Sequence, residues 1–239
     1  MIILYGGGPE FGLPEISPYV TKTEVQLQMA GLAYRKERAT PPDSPKGQLP
    51  FIDDDGERVA DSTFIRAHIE RKYGIDLDKD LDSRGRAQAW AIERMIENHM
   101  GFGIGYTRFC IPENFAKGPA HFVDFAPEAA RPQLREELLA RVKANFMAVG
   151  MLRHAPEEIE WLCLRSLKAL SHLLGERPYL MGEHPCGTDA IAFGALAALL
   201  TPFFDSSLRR RARRFENLVD YTERMMGEFY PAFAWDKAA

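Results

Sequence analysis

The stretch 49–62, LPFIDDDGERVADS, predicts two short strands followed by the start of a helix. Asp55-Gly56 is a strong hairpin signal, because both residue types tolerate the positive φ that a two-residue turn requires. Asp61 and Ser62 then open a helix, and Gly74 is a suitable stop for it. We therefore predict a hairpin followed directly by a helix.

The residues before this hairpin alternate between strand and helix signals. An apolar run at 2–5 ends in three glycines and predicts a buried strand. Ser17-Pro18 is typical of a helix start, and a second strand is predicted at 34–39 before the breaker cluster TPPDSPKGQ. The result is an α/β unit of about 75 residues, which is too small to bury much surface alone.

From Asp82 onwards the strand signals disappear and helical spacing takes over. Helices are predicted at 84–98, 133–147, 156–174, 188–200 and 215–229, and three glycines at 101, 103 and 105 are expected to interrupt the first. We place the boundary in the charged segment 76–85. The predicted domains are an α/β domain over 1–78 and an all-helical domain over 84–239.

Composition limits the classes of function. A net charge of −4 gives no general attraction to nucleic acid, and the basic run LRRRARRFE is typical of a solvated helix face. Three widely spaced cysteines predict neither a metal site nor a disulfide framework. The N-terminus does not resemble a signal peptide, and the longest apolar run is shorter than the roughly 20 residues that span a bilayer. We expect a soluble, cytoplasmic protein without a metal, and with neither nucleic acid nor membrane as a partner.

Several motifs together resemble the cytosolic glutathione transferases. They are SPY at 17–19, PKGQLPFI at 45–52, ADST at 60–63 and GTDAIAFGAL at 187–196. The front segment GGGPEFGLPEISPYVTKTE and the tail FENLVDYTERMMGEFYP resemble more narrowly the branch that includes failed-axon-connections and metaxin-like proteins. The resemblance implies a thioredoxin-like N-terminal domain, an all-α transferase C-terminal domain, glutathione as co-substrate and a possible homodimer.

Two dipeptides are candidates for binding the peptide part of glutathione. Leu49 precedes Pro50 and is therefore biased towards an extended conformation, which presents its N–H and C=O for strand-like pairing. The resemblance implies a cis bond at Pro50; an ordinary turn is the alternative. At Asp61-Ser62 a helix N-terminus would bind a carboxylate, and Asp61 would accept from the ligand ammonium. A plain helix cap is the alternative here.

The loop before Leu49 supplies two further candidates. Lys46 is predicted to reach the glycyl carboxylate of glutathione, with a solvated loop lysine as the alternative. Gln48 is a polar candidate at the same rim.

Ser17 is the candidate catalytic residue. In the stretch ISPYVTK it stands where a dithiol site Cys-Pro-Tyr-Cys would place its first cysteine. A hydroxyl and a helix N-terminus can together supply about 2.7 kcal/mol, enough to lower a thiol pKa of about 8.5 by roughly two units. Ser17 cannot form a mixed disulfide. Helix capping alone is the alternative, and Tyr5 or Tyr19 would then donate to the thiol.

The aromatic stretch GFGIGYTRFCIPENF, residues 101–115, is where the resemblance places a second substrate. Tyr19, Phe102, Tyr106 and Phe109 are the candidates for an apolar pocket, with interdomain core as the alternative. The sequence thus favours an enzyme that conjugates glutathione to an apolar electrophile. The alternatives are a non-catalytic adaptor of the metaxin-like type and a dehalogenase or isomerase with the same glutathione site.

Overall fold

A computed structural model describes residues 1–235, and it begins with a four-stranded sheet. Its strands are β1 (Ile2–Gly6), β2 (Tyr34–Arg38), β3 (Phe51–Asp54) and β4 (Glu57–Ala60), in the order β2-β1-β3-β4. β2 runs parallel to β1, whereas β3 and β4 are antiparallel to their neighbours. The hairpin predicted at Asp55-Gly56 is confirmed, and both turn residues have positive φ.

Two helices, α1 (Pro18–Met29) and α2 (Ser62–Tyr73), pack on one face of the sheet. Because side chains alternate along a strand, β1 and β3 turn every second residue towards these helices. The resulting core contains Ile2, Leu4, Val20, Leu27, Ile52, Ile65 and Ile69. All four strands precede residue 61, as the α/β prediction requires.

The rest of the described chain is helical. Its elements are α3 (Ser83–Met95), a π-helical turn (Ile96–Met100), α4 (Gly101–Phe109), α5 (Pro112–Lys117), α6 (Arg131–Ala148), α7 (Pro156–Leu174), α8 (Gly187–Leu200), α9 (Ser207–Ala212) and α10 (Glu216–Phe229). Every residue of α8 is buried, and α1, α3, α4 and α10 pack against it. None of the helices within residues 1–235 is long and apolar enough to cross a membrane. Residues 236–239, the end of the predicted second domain, lie outside the described part.

The three glycines at 101, 103 and 105 do not interrupt the helix, so that prediction was wrong. They lie in α4, where the missing side chains allow close packing. A Cβ on Gly101 would lie 2.8 Å from Tyr19 Oη, and one on Gly103 would overlap Cys163 Sγ. A Cβ on Gly105 would lie 2.7 Å from the ring of Phe146.

A buried charged cluster joins the α/β part to the helical part. Lys22 of α1 is 0% exposed, and its Nζ lies 2.8 Å from Glu93 Oε1 and 2.7 Å from Glu97 Oε1. Arg94 pairs with the same two carboxylates at 2.9 and 2.6 Å. The cluster fixes α1 against α3 and the π-helical turn, and thus fixes the two parts relative to each other.

Candidate functional site

Three strand ends meet at one edge of the sheet, and the candidate binding residues follow them. Tyr5 pairs with Phe51, and Phe51 pairs with Ala60 on the next strand. The N–H of Asp61 donates to the carbonyl of Pro50 at 3.1 Å. The structure therefore brings Leu49-Pro50 and the start of α2 into direct contact.

Within residues 1–235, the backbone N–H and C=O of Leu49 are free to pair with a ligand. The Leu49–Pro50 peptide bond is cis, as the resemblance implied. Among the described residues, neither the N–H nor the C=O of Leu49 pairs with another backbone group. Its side chain packs against the core under the sheet. A bound peptide can thus pair with Leu49 without displacing any protein hydrogen bond.

The start of α2 combines a cap with backbone strain. Asp61 has φ +81°, which a non-glycine residue rarely adopts, and its carboxylate accepts from the N–H of Thr63 at 2.9 Å. Such strain occurs at functional sites when the surrounding structure holds it in place. Ser62 is 3% exposed, and its hydroxyl has no partner among residues 1–235. The free N–H groups of this first turn form an anion-binding geometry.

Positive charge lies on both sides of this helix start. Lys46 Nζ lies 3.8 Å from the ring centre of Phe64, in the first turn of α2, so the loop folds back over the helix start. Arg94, which sequence reasoning did not select, places Nη2 3.4 Å from Thr63 Oγ1. Gln48 is exposed in the same loop, and its side chain has no partner in the described part of the chain.

Ser17 is the N-cap of α1, and the cap bond is long. Its Oγ accepts from the N–H of Val20 at 3.4 Å, whereas ordinary N–H···O bonds are about 2.9–3.0 Å. The residue is half-buried, so the hydroxyl is only partly committed to the helix.

Glu15 holds the loop that carries Ser17, and sequence reasoning missed it. Its carboxylate accepts from the N–H groups of Gly7, Gly8 and Ser17 at 3.1, 3.0 and 3.3 Å. Lys36 Nζ lies 3.3 Å away. Burial raises the pKa of Glu15, although Lys36 and the backbone donors oppose that effect. A lone glutamate in a loop gives no pattern that would predict these contacts.

The two alternative tyrosines have different surroundings. Tyr19 Oη donates to the carbonyl of Glu97 at 3.2 Å, and burial together with the Glu97 carboxylate raises its pKa to about 12. Tyr5 stacks on Phe51 with ring centres 4.2 Å apart. By strand alternation, Tyr5 lies on the sheet face opposite α1.

The four second-substrate candidates have different surroundings. Phe102 packs edge-on against Phe146, with ring centres 6.1 Å apart. The ring centres of Phe109 and Phe122 are 6.4 Å apart. Tyr106 lines a cavity of about 210 Å³ between α4, α7 and α9. Tyr19 contacts the backbone of the π-helical turn. Tyr19, Phe102 and Tyr106 pack, partly buried, against the core of the helical domain, and the pocket that they would form with Phe109 stays a prediction.

Comparison with known proteins identifies the family. The glutathione S-transferase N-terminal domain model matches residues 18–114, and the C-terminal domain model matches residues 163–225. An isoprene-epoxide glutathione S-transferase from Rhodococcus sp. (strain AD45) is 32% identical over 240 residues, covering 96% of this chain and 99% of that protein. Failed axon connections from Drosophila melanogaster is 31% identical over 94% of this chain and 56% of that protein. Metaxin-2 from Mus musculus is 25% identical over 78% of this chain and 72% of that protein.

Solved structures show the same fold. A β-etherase from Sphingobium sp. strain SYK-6 superposes with a TM-score of 0.65 at 16% identity, covering 97% of this chain and 99% of that one. A glutathione S-transferase from Methylobacterium radiotolerans, solved with glutathione sulfonate, gives 0.61 at 19% identity, covering 100% and 97%. The sheet with α1 and α2 is accordingly a thioredoxin-like domain, followed by an all-helical transferase C-terminal domain. The chain belongs to the glutathione S-transferase superfamily, in the branch that contains Failed axon connections and the metaxins.

Proposed function

We propose that this protein is a glutathione transferase that conjugates glutathione to a small apolar electrophile. The observation that carries the proposal is the meeting of Leu49-Pro50, the start of α2 and the loop to Ser17 at one sheet edge. The relative that acts on an isoprene epoxide supports an apolar electrophile as second substrate.

Each polar group of glutathione has a partner at this edge. The peptide pairs with the free backbone of Leu49, and the γ-glutamyl carboxylate lies on the N–H groups and hydroxyl of Ser62. Asp61 accepts from the ammonium, which lies beside the same carboxylate in the ligand. Lys46, held over the first turn of α2, takes the glycyl carboxylate.

The thiol is then placed at Ser17. The chemistry requires a thiolate, and lowering a thiol pKa by about two units corresponds to about 2.7 kcal/mol. A hydrogen bond to a charged group contributes about 1.5–3 kcal/mol, and the N-terminus of α1 adds a few tenths to about one. Because the bond from Val20 N–H to Ser17 Oγ is 3.4 Å long, the hydroxyl can turn to donate to the thiolate at small cost.

A non-catalytic adaptor is the second candidate function. Its support is the similarity to Failed axon connections and Metaxin-2, together with the packing of Phe102 against Phe146 and of Phe109 near Phe122. If the protein is an adaptor, these aromatic side chains are part of the hydrophobic core, and no pocket for a second substrate remains. Such a protein would use its surface to bind other proteins.

Calorimetric titration with glutathione separates the two functions. The transferase proposal predicts binding in the millimolar range or tighter, and Ser62→Ala should weaken it by about 1–2 kcal/mol. Ser206→Ala is the matched control, because Ser206 is also a buried serine but caps α9 in the helical domain, so glutathione affinity should stay unchanged. Absence of binding at millimolar glutathione would reject the transferase proposal and favour the adaptor.

The predicted homodimer is tested by sedimentation equilibrium.

A further inference from the structure

The peptide group that joins Ile16 to Ser17 is held from both sides by buried charged side chains. Arg108 Nη1 donates to the carbonyl of Ile16 at 2.8 Å, and Glu15 accepts from the N–H of Ser17 at 3.3 Å. In a trans peptide the C=O and the N–H point in opposite directions. A cation and an anion therefore fix the two ends of one peptide dipole immediately before the candidate catalytic residue.

Arg108 is unusual because, within the part of the chain that the structure describes, its guanidinium bonds to carbonyl groups rather than to an acidic side chain. It is 7% exposed, and its second donor reaches the carbonyl of Ala198 at 3.1 Å while the guanidinium lies 5.2 Å from the ring centre of Phe204. Its Nε has no partner, and no carboxylate pairs with it among residues 1–235. Burial lowers its pKa to about 10, so the side chain stays charged at neutral pH.

Burying an arginine without a counter-ion is costly, and stability alone does not account for it. An apolar side chain at position 108 would fill the same space between α4 and α8 without desolvating a charge. What only the arginine provides is a pair of donors that join the end of α8 to the residue before Ser17.

The glycine run on the other side is shaped around Glu15. A Cβ on Gly6 would lie 2.8 Å from Glu15 Oε2, so a larger residue would displace the carboxylate. Gly7 and Gly8 then donate their N–H groups to it. The loop between β1 and α1 is thus organised around one carboxylate whose remaining backbone partner is Ser17.

We propose that Arg108 and Glu15 are positioning residues for Ser17, which hold its backbone so that Oγ faces the glutathione thiol. This inference rests on the proposed glutathione chemistry. Neither residue touches the substrate: Arg108 orients the peptide through Ile16, and Glu15 orients it through Ser17.

The first test uses the protein without any ligand. Amide hydrogen exchange should speed up at least tenfold at Ser17 in Arg108→Met and in Glu15→Ala, while the first turn of α2 keeps its protection. Arg209→Met is the matched control, because Arg209 is also buried and donates to the end of α8, at Leu200 O, 3.0 Å away. Unchanged exchange at Ser17 in Arg108→Met would overturn the proposal whether or not glutathione binds.

The second test asks whether Arg108 acts through Ser17. Arg108→Met should slow conjugation about tenfold in the wild-type background but less than twofold when Ser17 is already alanine, since the two changes affect one function. In Arg108→Met the pKa of the thiol of bound glutathione should rise by about one unit, whereas the affinity for S-methylglutathione should change less than twofold. Arg108→Lys keeps the charge but not both hydrogen bonds. Its conjugation rate and thiol pKa should lie between those of the wild type and of Arg108→Met. Additive effects, or an unchanged thiol pKa in a protein that binds glutathione, would overturn this inference and leave the transferase proposal standing.

Discussion

Replacing Lys22 by methionine should destabilise the protein because it leaves two buried carboxylates without their shared cation. Lys22 is 0% exposed, and the side chains of Glu93 and Glu97 are 3% and 7% exposed. Breaking a buried ion pair by removing one partner costs about 3–5 kcal/mol. Arg94 still pairs with both carboxylates, so we expect the lower end, about 3 kcal/mol. For a chain of this size that corresponds to a fall in Tm of roughly 6–12 °C.

Urea unfolding followed by tryptophan fluorescence measures this loss directly. The matched control is Arg86→Met, which breaks the exposed pair with Asp76 and should leave the midpoint nearly unchanged. Combining Lys22→Met with Glu93→Gln should recover part of the loss, because one buried carboxylate charge is removed and Arg94 still pairs with Glu97. A loss for Lys22→Met below about 1 kcal/mol would refute the view that this cluster joins the two domains.

Three further predictions follow from the site and the core. Ser17→Cys should lose conjugation but gain disulfide exchange with glutathione, measured by mixed-disulfide formation, because a thiol at a helix N-terminus has a depressed pKa. Gly103→Ala should cost about 1–3 kcal/mol by overlap with Cys163 Sγ, and adding Cys163→Ala should restore stability in urea titrations; no recovery would contradict the close approach. Burial alone would raise the pKa of Asp54, but hydrogen bonds led by Lys72 lower it overall. Ionised Asp54 thus stabilises the fold above about pH 3.8, so Asp54→Asn should be destabilised at pH 7 but approach wild type in acid, as thermal scans across pH would reveal.

Local signals were sufficient to predict most elements of the fold. The α7 bounds predicted from spacing, 156–174, are those observed, and the hairpin follows from the ability of Asp55-Gly56 to adopt positive φ. Ser17 and Asp61 cap their helices as their residue types indicate. These features depend on residues close together in the chain, where propensity and turn chemistry act.

The residues that the sequence did not reveal act over long separations. Arg108 reaches Ile16 across 92 positions, and Lys22 reaches Glu93 across 71. A charged side chain within an apolar helix or a loop has no pattern that names its partner. The glycines of α4 were misjudged for the same reason, because only the packed neighbours such as Cys163 show why side chains are absent there.

Titration of the thiol of bound glutathione, followed by thiolate ultraviolet absorbance, tests the central claim most directly. In the wild type we expect a pKa roughly two units below that of the free thiol. Ser17→Ala should raise it by one to two units and slow conjugation about ten- to a hundredfold, with only a small loss of Tm because the 3.4 Å cap bond is weak. The contrary result is a bound thiol that titrates identically in both proteins while Ser17→Ala loses stability, which would make Ser17 a helix cap alone.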